Sequence, residues 1–250
     1  MTDRLQRRRI LITGAAAGIG RACAEACVAE GAAVALIDRD QGRLNDVATE
    51  LMRRGRVHSV ALDIGDQAAV VAGVDQLVEA LGGLDGVVNS AGIDLHQRFA
   101  ATVWRDWAQV IEINLNGPMH VCHAALDALK TSGFGAIVNI ASGAGLRPIP
   151  DRVAYCASKA ALIMATKALA LDLAPHGIRA NVVCPGAVDT DLFRQSLGAA
   201  RSIDDVKAMY AMKRIGSATE IAAAVIFLVS EEASFVTGAV LAADGGRVFH

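Results

Sequence analysis

The sequence predicts an α/β fold, a doubly wound parallel sheet of about seven strands with helices on both faces, and three observations carry that expectation. At 250 residues, 53% apolar and only 20% charged, the chain is long enough to bury a large core and too apolar for disorder or a solvated coiled coil. Short apolar runs alternate with longer helical stretches from end to end, the pattern of strands joined by crossover helices. The strand runs are continuously apolar, as in Val-Ala-Leu-Ile at 34–37, which suits strands covered on both faces. No repeat, low-complexity tract or linker interrupts them, so 1–250 reads as a single domain.

The first strand, 10–12, runs straight into Thr13-Gly14-Ala15-Ala16-Ala17-Gly18-Ile19-Gly20 and a helix over 18–29. Gly14, Gly18 and Gly20 stand where a backbone must turn sharply and approach a pyrophosphate at a helix N-terminus, a Rossmann-like arrangement. The spacing is G-x-x-x-G-x-G rather than G-x-G-x-x-G; a plain turn in an alanine-rich segment, or the similar loop of a methyltransferase, fits it too. The second strand, 33–37, ends at Asp38, 20 residues beyond Gly18, the separation expected of an acid that binds the adenosine ribose. A carboxylate there accepts from a 2′-hydroxyl and repels a 2′-phosphate, which favours NAD over NADP; the neighbouring Arg39 argues for NADP. No Walker-type loop with its lysine exists, so nucleotide hydrolysis is not expected.

A helix over 41–53, a strand over 57–62, a helix over 67–81 and a strand over 86–89 follow. Residues 102–129 read as one long helical stretch, with Asn114 and Asn116 inside an apolar run, 110–121, where a bare amide is costly unless partnered. A kinked helix and a satisfied core asparagine both answer that. A strand over 136–140 is followed by Ser142, whose hydroxyl falls at the carboxyl edge where ligands sit in such sheets, or simply caps the next segment. The helix over 153–174 carries Tyr155 and Lys159 four residues apart on one face. An adjacent fixed cation stabilises a phenolate and draws a phenol of pKa near 10 toward neutrality, which makes an acid/base pair; the same spacing also occurs on solvated helices. The chain continues with a strand over 179–183, a looser stretch over 189–217, a helix over 218–230 and a strand over 239–242.

Taken together, Thr13-Gly14-x-x-x-Gly18-Ile19-Gly20, Asn89-Ser90-Ala91-Gly92, Asn114, Ser142, Tyr155-x-x-x-Lys159 and Pro185-Gly186-x-Val188-x-Thr190 resemble the short-chain dehydrogenase/reductase family in its single-domain form, over 10–246. The resemblance implies hydride transfer between a nicotinamide cofactor and a secondary alcohol or its ketone. It implies Tyr155 as the acid in reduction and the base in oxidation, and Lys159 as holder of the nicotinamide ribose that lowers the tyrosine pKa. Ser142 is implied to orient the substrate oxygen, and Asn114 to carry a proton relay at a helix kink held by a water. Asp63 and Ile64 look like adenine contacts, and Asn89 like a tie between strands that borders the ribose. Pro185, Gly186, Val188 and Thr190 look like a turn against the nicotinamide and its carboxamide. Ser90 departs from the family, which more often has a second asparagine there; a local packing effect is expected. The alternatives are an NADPH-dependent ketoacyl-type reductase and a nucleotide-binding regulator without turnover, whose signature would be a missing tyrosine or lysine.

A net charge of −2, from 24 basic and 26 acidic residues, leaves no footprint for nucleic acid or an anionic membrane as partner. No uninterrupted apolar run reaches the roughly 18 residues of a bilayer span. The basic start (Arg4, Arg7, Arg8, Arg9) is followed only by Ile10, Leu11 and Ile12, so a cytoplasmic protein without an export signal is expected. Five cysteines without C-x-x-C spacing read as reduced core thiols. Cys23 with Cys27, and His120 with His123, share helix faces, but no third ligand joins either pair, so no metal is expected. The stretch 189–217, with the loop 93–99, is the expected substrate lid. Its Leu192, Phe193, Met209, Tyr210 and Met212, beside Arg194, Arg201 and Lys207, suit an alcohol with an apolar body and polar decoration. His96, Arg147 and Arg152 are candidates for contacting a polar or anionic group, though each is otherwise an ordinary surface residue. Apolar residues on more than one face of 153–174 and 110–128 call for a subunit interface, and the resemblance implies a homotetramer.

Overall fold

The computed structural model describes residues 3–197 and 202–248. Seven strands form one sheet, all parallel, in the order β3-β2-β1-β4-β5-β6-β7. They are β1 (Arg9–Thr13), β2 (Ala33–Asp38), β3 (Val57–Ala61), β4 (Gly86–Asn89), β5 (Ala136–Ile140), β6 (Arg179–Pro185) and β7 (Val240–Ala243). The helices are α1 (Gly18–Ala29), α2 (Gln41–Met52), α3 (Gln67–Leu81), α4 (Trp104–Ile111), α5 (Gly117–Ala124), α6 (Leu126–Ser132), α7 (Val153–Leu173), α8 (Asp191–Ser196), α9 (Ile203–Ala208) and α10 (Ala218–Val229). Chain order reverses at the β1/β4 pair, so the two halves part there and open a crevice at the carboxyl ends of the strands.

Each strand feeds two cores because its side chains alternate. Ile10 and Ile12 of β1, with Val34, Leu36, Val138 and Ile140, pack against α1, α2 and α10. Leu11, with Ala35, Ile37, Val87 and Ile137, packs on the opposite face against α3, α5, α6 and α7. A branched apolar side chain so buried contributes roughly 1.5–3 kcal/mol, which is why the strand runs are apolar throughout. Helix starts follow side-chain caps: Asp40 accepts from the Arg43 N–H, Asp66 from the Ala69 N–H, and Ser217 with Glu220 forms a capping box. α7, with the short turn after it, is long and apolar enough by length and composition to cross a membrane. In the fold its Leu162, Ile163, Ala170 and Leu173 are buried against the sheet.

The helical stretch expected over 102–129 carries its kink as a π-turn: α4 passes into it over Glu112–Asn116 before α5 begins. Pro118 has no N–H to donate back into that turn, and the Asn116 amide donates to Glu112 Oε2 at 2.6 Å inside it, so the backbone widens there. The stretch 189–217 is less loose than expected, since Thr190 caps α8 and a Ser202/Asp205 capping box starts α9. Residues 198–201 of that expected lid lie outside the described residues.

Candidate active site

A cleft of about 850 Å³ runs along the carboxyl ends of the strands from β3 to β7. At its β1 corner Thr13 is fully buried, and its Oγ1 accepts from the N–H groups of Ser90 at 3.1 Å and Ala91 at 3.2 Å. Gly14 holds φ at +67°, and a Cβ there would stand 2.8 Å from the Ala91 backbone; a Cβ on Gly20 would stand 2.1 Å from the Gly14 carbonyl oxygen. These glycines let the loop, the β4 turn and the first turn of α1 close into one layer. No side chain caps that first turn, so its N–H groups and positive dipole end face the cleft beside Gly18 and Ile19. At the end of β2 the Asp38 Oδ2 accepts from the Ala16 N–H and Oδ1 from the Asp40 N–H, both at 3.0 Å. The carboxylate is thereby fixed on the cleft wall, and each oxygen keeps acceptor capacity for a ligand. Asp63 and Ile64 line the same end.

The catalytic candidates meet farther along. Tyr155 and Lys159 lie one turn apart on α7, with Lys159 Nζ 5.8 Å from the centroid of the phenol ring. The phenol has Ser142 as its polar neighbour, and the Ser142 Oγ accepts from the Ala144 N–H at 3.1 Å. Lys159 is only 5% exposed, and its Nζ donates to the carbonyl of Ile140, the last residue of β5, at 3.0 Å. Pro185, Gly186 and Val188 line the cleft after β6, where the Tyr210 hydroxyl accepts from the Ala187 N–H at 2.7 Å and pins the turn. Thr190 lies toward the phosphate end of that turn, its methyl 3.3 Å from where a Cβ on Gly18 would stand.

The protein's own groups do not lower the Tyr155 pKa, contrary to the expected effect of Lys159. Burial pushes the phenol up to about 12, against the opposing pull of the Ser142 hydroxyl, and the nearby Asp94 carboxylate adds to the rise. Burial also brings the Lys159 ammonium down to about 8, against the opposing influence of Cys184 and Asp94. Both groups are held toward their neutral forms because the Tyr–Lys pair is taken out of water without a carboxylate of its own.

Two of the sequence-predicted site residues do not face the cleft. Asn89 ties β4 to β5 as expected, its Nδ2 donating to Asn139 Oδ1 at 2.8 Å, but strand alternation turns it into the α7 side of the core, away from the ribose position. Asn114 is fully buried in the π-turn, where its Oδ1 accepts from the Ile93 N–H at 2.9 Å. Its Nδ2 donates to the Ile93 carbonyl at 2.9 Å and to Ser158 Oγ at 3.1 Å, which commits both amide hydrogens, while Oδ1 keeps a second lone pair. Ser158 in turn donates to the Tyr155 carbonyl at 2.8 Å, so Asn114 links the 91–93 turn to the backbone under Tyr155. The kink is the π-turn itself.

Sequence reasoning passed over an ion pair in the same cleft. Asp94 Oδ2 lies 2.8 Å from Arg152 Nη1, and Arg152 Nη2 donates to the Ser196 carbonyl of α8 at 2.6 Å. Arg152 therefore binds the 93–97 loop and the lid to the start of α7, and is not free for a substrate anion. Burial raises the Asp94 pKa against Arg152, and Asp94 Oδ1 is buried without a partner. The two residues are 58 apart in sequence, and no local spacing announces them.

A glycine loop at a helix N-terminus after β1, a fixed carboxylate at the end of β2 and a Tyr-Lys-Ser cluster after β5, all in one crevice, form the layout of a nicotinamide-dependent oxidoreductase of Rossmann type. The family model described as enoyl-(acyl carrier protein) reductase matches residues 14–247. The 2-(S)-hydroxypropyl-CoM dehydrogenase 3 of Xanthobacter autotrophicus is 40% identical over 255 residues, covering 98% of each chain. The D-threitol dehydrogenase of Mycolicibacterium smegmatis is 36% identical, covering 97% of this chain and 94% of its own. The crystal structure of gox2181 superposes with a TM-score of 0.95 at 33% identity, covering 99% of both chains. The chain belongs to the short-chain dehydrogenase/reductase family.

Proposed function

We propose that the protein is an NAD-dependent dehydrogenase that moves a hydride between a secondary alcohol, or its ketone, and the nicotinamide ring, working as one domain over 1–250. The observation that carries this reading is the Tyr155 phenol beside Ser142, one turn from Lys159, in the cleft that also holds the glycine loop and Asp38. The bound nicotinamide supplies the hydride acceptor or donor. Ser142, beside the phenol, orients the substrate oxygen. Tyr155 takes the alcohol proton in oxidation and returns it in reduction. Lys159, braced on the Ile140 carbonyl, keeps a positive charge beside the phenol and is within reach of a ribose hydroxyl. Asn114 is a positioning residue that fixes the turn at Gly92, where a Cβ would stand 3.3 Å from Lys159 Nζ. Relatives named for hydroxypropyl-CoM and threitol support the substrate class.

Asp38 supports NAD, since a 2′-phosphate would be set against a fixed carboxylate; Arg39, exposed on the same rim, is the group that opposes it. Fluorescence titration is expected to give NADH at least about tenfold tighter binding than NADPH. The apolar residues that α7 leaves exposed, among them Met164 at 64% and Leu171 at 79%, support burial against other copies in a homotetramer, which light scattering tests. Free cysteines throughout support a reducing, cytoplasmic compartment. Tyr155→Phe is expected to keep NADH affinity and lose about 10²–10⁴ in kcat on a secondary alcohol. Retention of more than about a tenth of the rate would remove Tyr155 from the acid/base role.

A further inference from the structure

At the β7 end of the cleft, beyond Ser142, two arginines have no carboxylate partner among the described residues. Arg147 follows the short turn after Ser142, and Arg247 follows β7; both line the cleft. They are neighbours, because Arg147 Nη1 donates to the Arg247 backbone carbonyl at 3.3 Å. Among the described residues neither forms an ion pair within 4.0 Å. Of the other charges here, Asp94 and Arg152 neutralise each other at 2.8 Å. Asp244 points inward, Oδ1 accepting from the Gly246 N–H at 3.0 Å and Oδ2 from the Val248 N–H at 2.9 Å, which shapes the turn that carries Arg247. Asp151 lines the same part of the cleft but pairs with neither arginine. Two arginines on one wall of a substrate cleft offer charged donors from which one oxyanion can accept.

We propose that Arg147 and Arg247 form an anion subsite that holds a terminal carboxylate or sulfonate carried by the alcohol substrate. This rests on the dehydrogenase reading above and narrows it, from secondary alcohols in general to those with a charged tail. The sheet sets the span. β5 and β7 are two strand spacings apart, about 10 Å, and the arginine side chains reach back over part of it. On the order of three to five atoms between the carbinol carbon and the anion bridge what is left.

The test separates binding from turnover. Calorimetry on NADH-loaded Tyr155→Phe protein measures 2-hexanol, 5-hydroxyhexanoate and 4-hydroxypentane-1-sulfonate, the first matching the others in length without their charge. Both anions are expected to bind at least about tenfold more tightly than 2-hexanol at low salt, with the advantage shrinking as salt rises. In the same protein carrying Arg147→Ala and Arg247→Ala, shown to be folded by its melting temperature, the advantage should fall to about twofold or less. The carboxylate and sulfonate arms tell which head group the pair prefers. Equal binding of charged and neutral alcohols, or a preference that survives both substitutions, overturns the subsite. Wild-type turnover of the same three alcohols is read separately. Anion-selective binding without any oxidation would sink the dehydrogenase reading and leave the subsite standing.

Discussion

The two perturbed groups at the centre of the cleft fix the shape of the pH profile for alcohol oxidation. In the proposed reaction, oxidation needs the phenolate of Tyr155 beside the ammonium of Lys159. With the phenol at about 12, removing its proton at pH 7 costs roughly 7 kcal/mol, and each pH unit returns about 1.4 kcal/mol, so kcat/KM should climb about tenfold per unit. The climb stops where Lys159 loses its own proton, at about 8. Above that point the phenolate–ammonium form and the phenol–amine form hold the same number of protons, and their ratio no longer depends on pH. A cationic nicotinamide lowers both pKa values, so the break is expected at or below about pH 8. The assay is initial-rate kcat/KM for a secondary alcohol at saturating NAD, followed by NADH absorbance from about pH 6 to about pH 10. Lys159→Met, which has no proton to lose, should lower the rate at neutral pH and erase the break, so that the climb continues into the alkaline range. A flat wild-type profile below the break, or the same break in Lys159→Met, would refute the assignment of these two groups.

The same lysine makes a stability prediction of opposite sign. Its folded pKa is depressed from 10.5 to about 8, so the unfolded chain binds more protons between those values, and the contribution of Lys159 to stability rises with pH through that window. Lys159→Met should therefore be more stable than wild type at pH 7 by about 2–3 kcal/mol, with the difference closing toward pH 10.5, as urea unfolding would show. Gly14→Ala and Gly82→Ala separate backbone strain from close approach, since φ is +67° and +72° respectively, but a Cβ at Gly82 meets nothing within 4 Å. Gly82→Ala should cost about 1–2 kcal/mol of stability and leave NADH binding intact. Gly14→Ala should cost more and weaken NADH binding by at least about a hundredfold; equal effects of the two would show that contact with the β4 turn does not matter.

The fold was legible because the strand runs had to be apolar on both faces, a demand that local sequence states openly: Ile10 and Ile12 enter one core while Leu11 enters the other. Helix boundaries were legible where caps stand, as at Gln67–Leu81, framed by Asp66 and by Gly82 in the left-handed region. The kink in the long helical stretch was legible in its two asparagines, but not its form, because apolar periodicity does not register the missing N–H of Pro118 or the way Asn114 spends its amide on Ile93. The looseness expected of 189–217 failed for a different reason. Thr190 and Ser202 are ordinary cap signals, but they stand before helices of only six residues each, too short to show a period.

The site divides along the same line. Gly14, Asp38, Ser142, Tyr155 and Lys159 were legible because each belongs to a strand end or a single helical turn, where spacing along the chain is also spacing in the fold. What was not legible is what holds them: Thr13 under the Ser90 and Ala91 amides, Ile140 under Lys159, Tyr210 on the Ala187 amide, and Arg152 between Asp94 and Ser196. Those contacts join separate elements, and the hydroxyls, carbonyls and amides that make them carry no signature of their own. The pKa reversal follows from this difference. Spacing alone predicts a lysine that lowers the phenol, whereas the burial that sets both groups comes from β5, the Gly92 turn and Asp94. The acid strength of Tyr155 is thus a property of the closed crevice, which is why the break in the pH profile, and not the Tyr–Lys spacing, is the sharper measure of whether this site works as described.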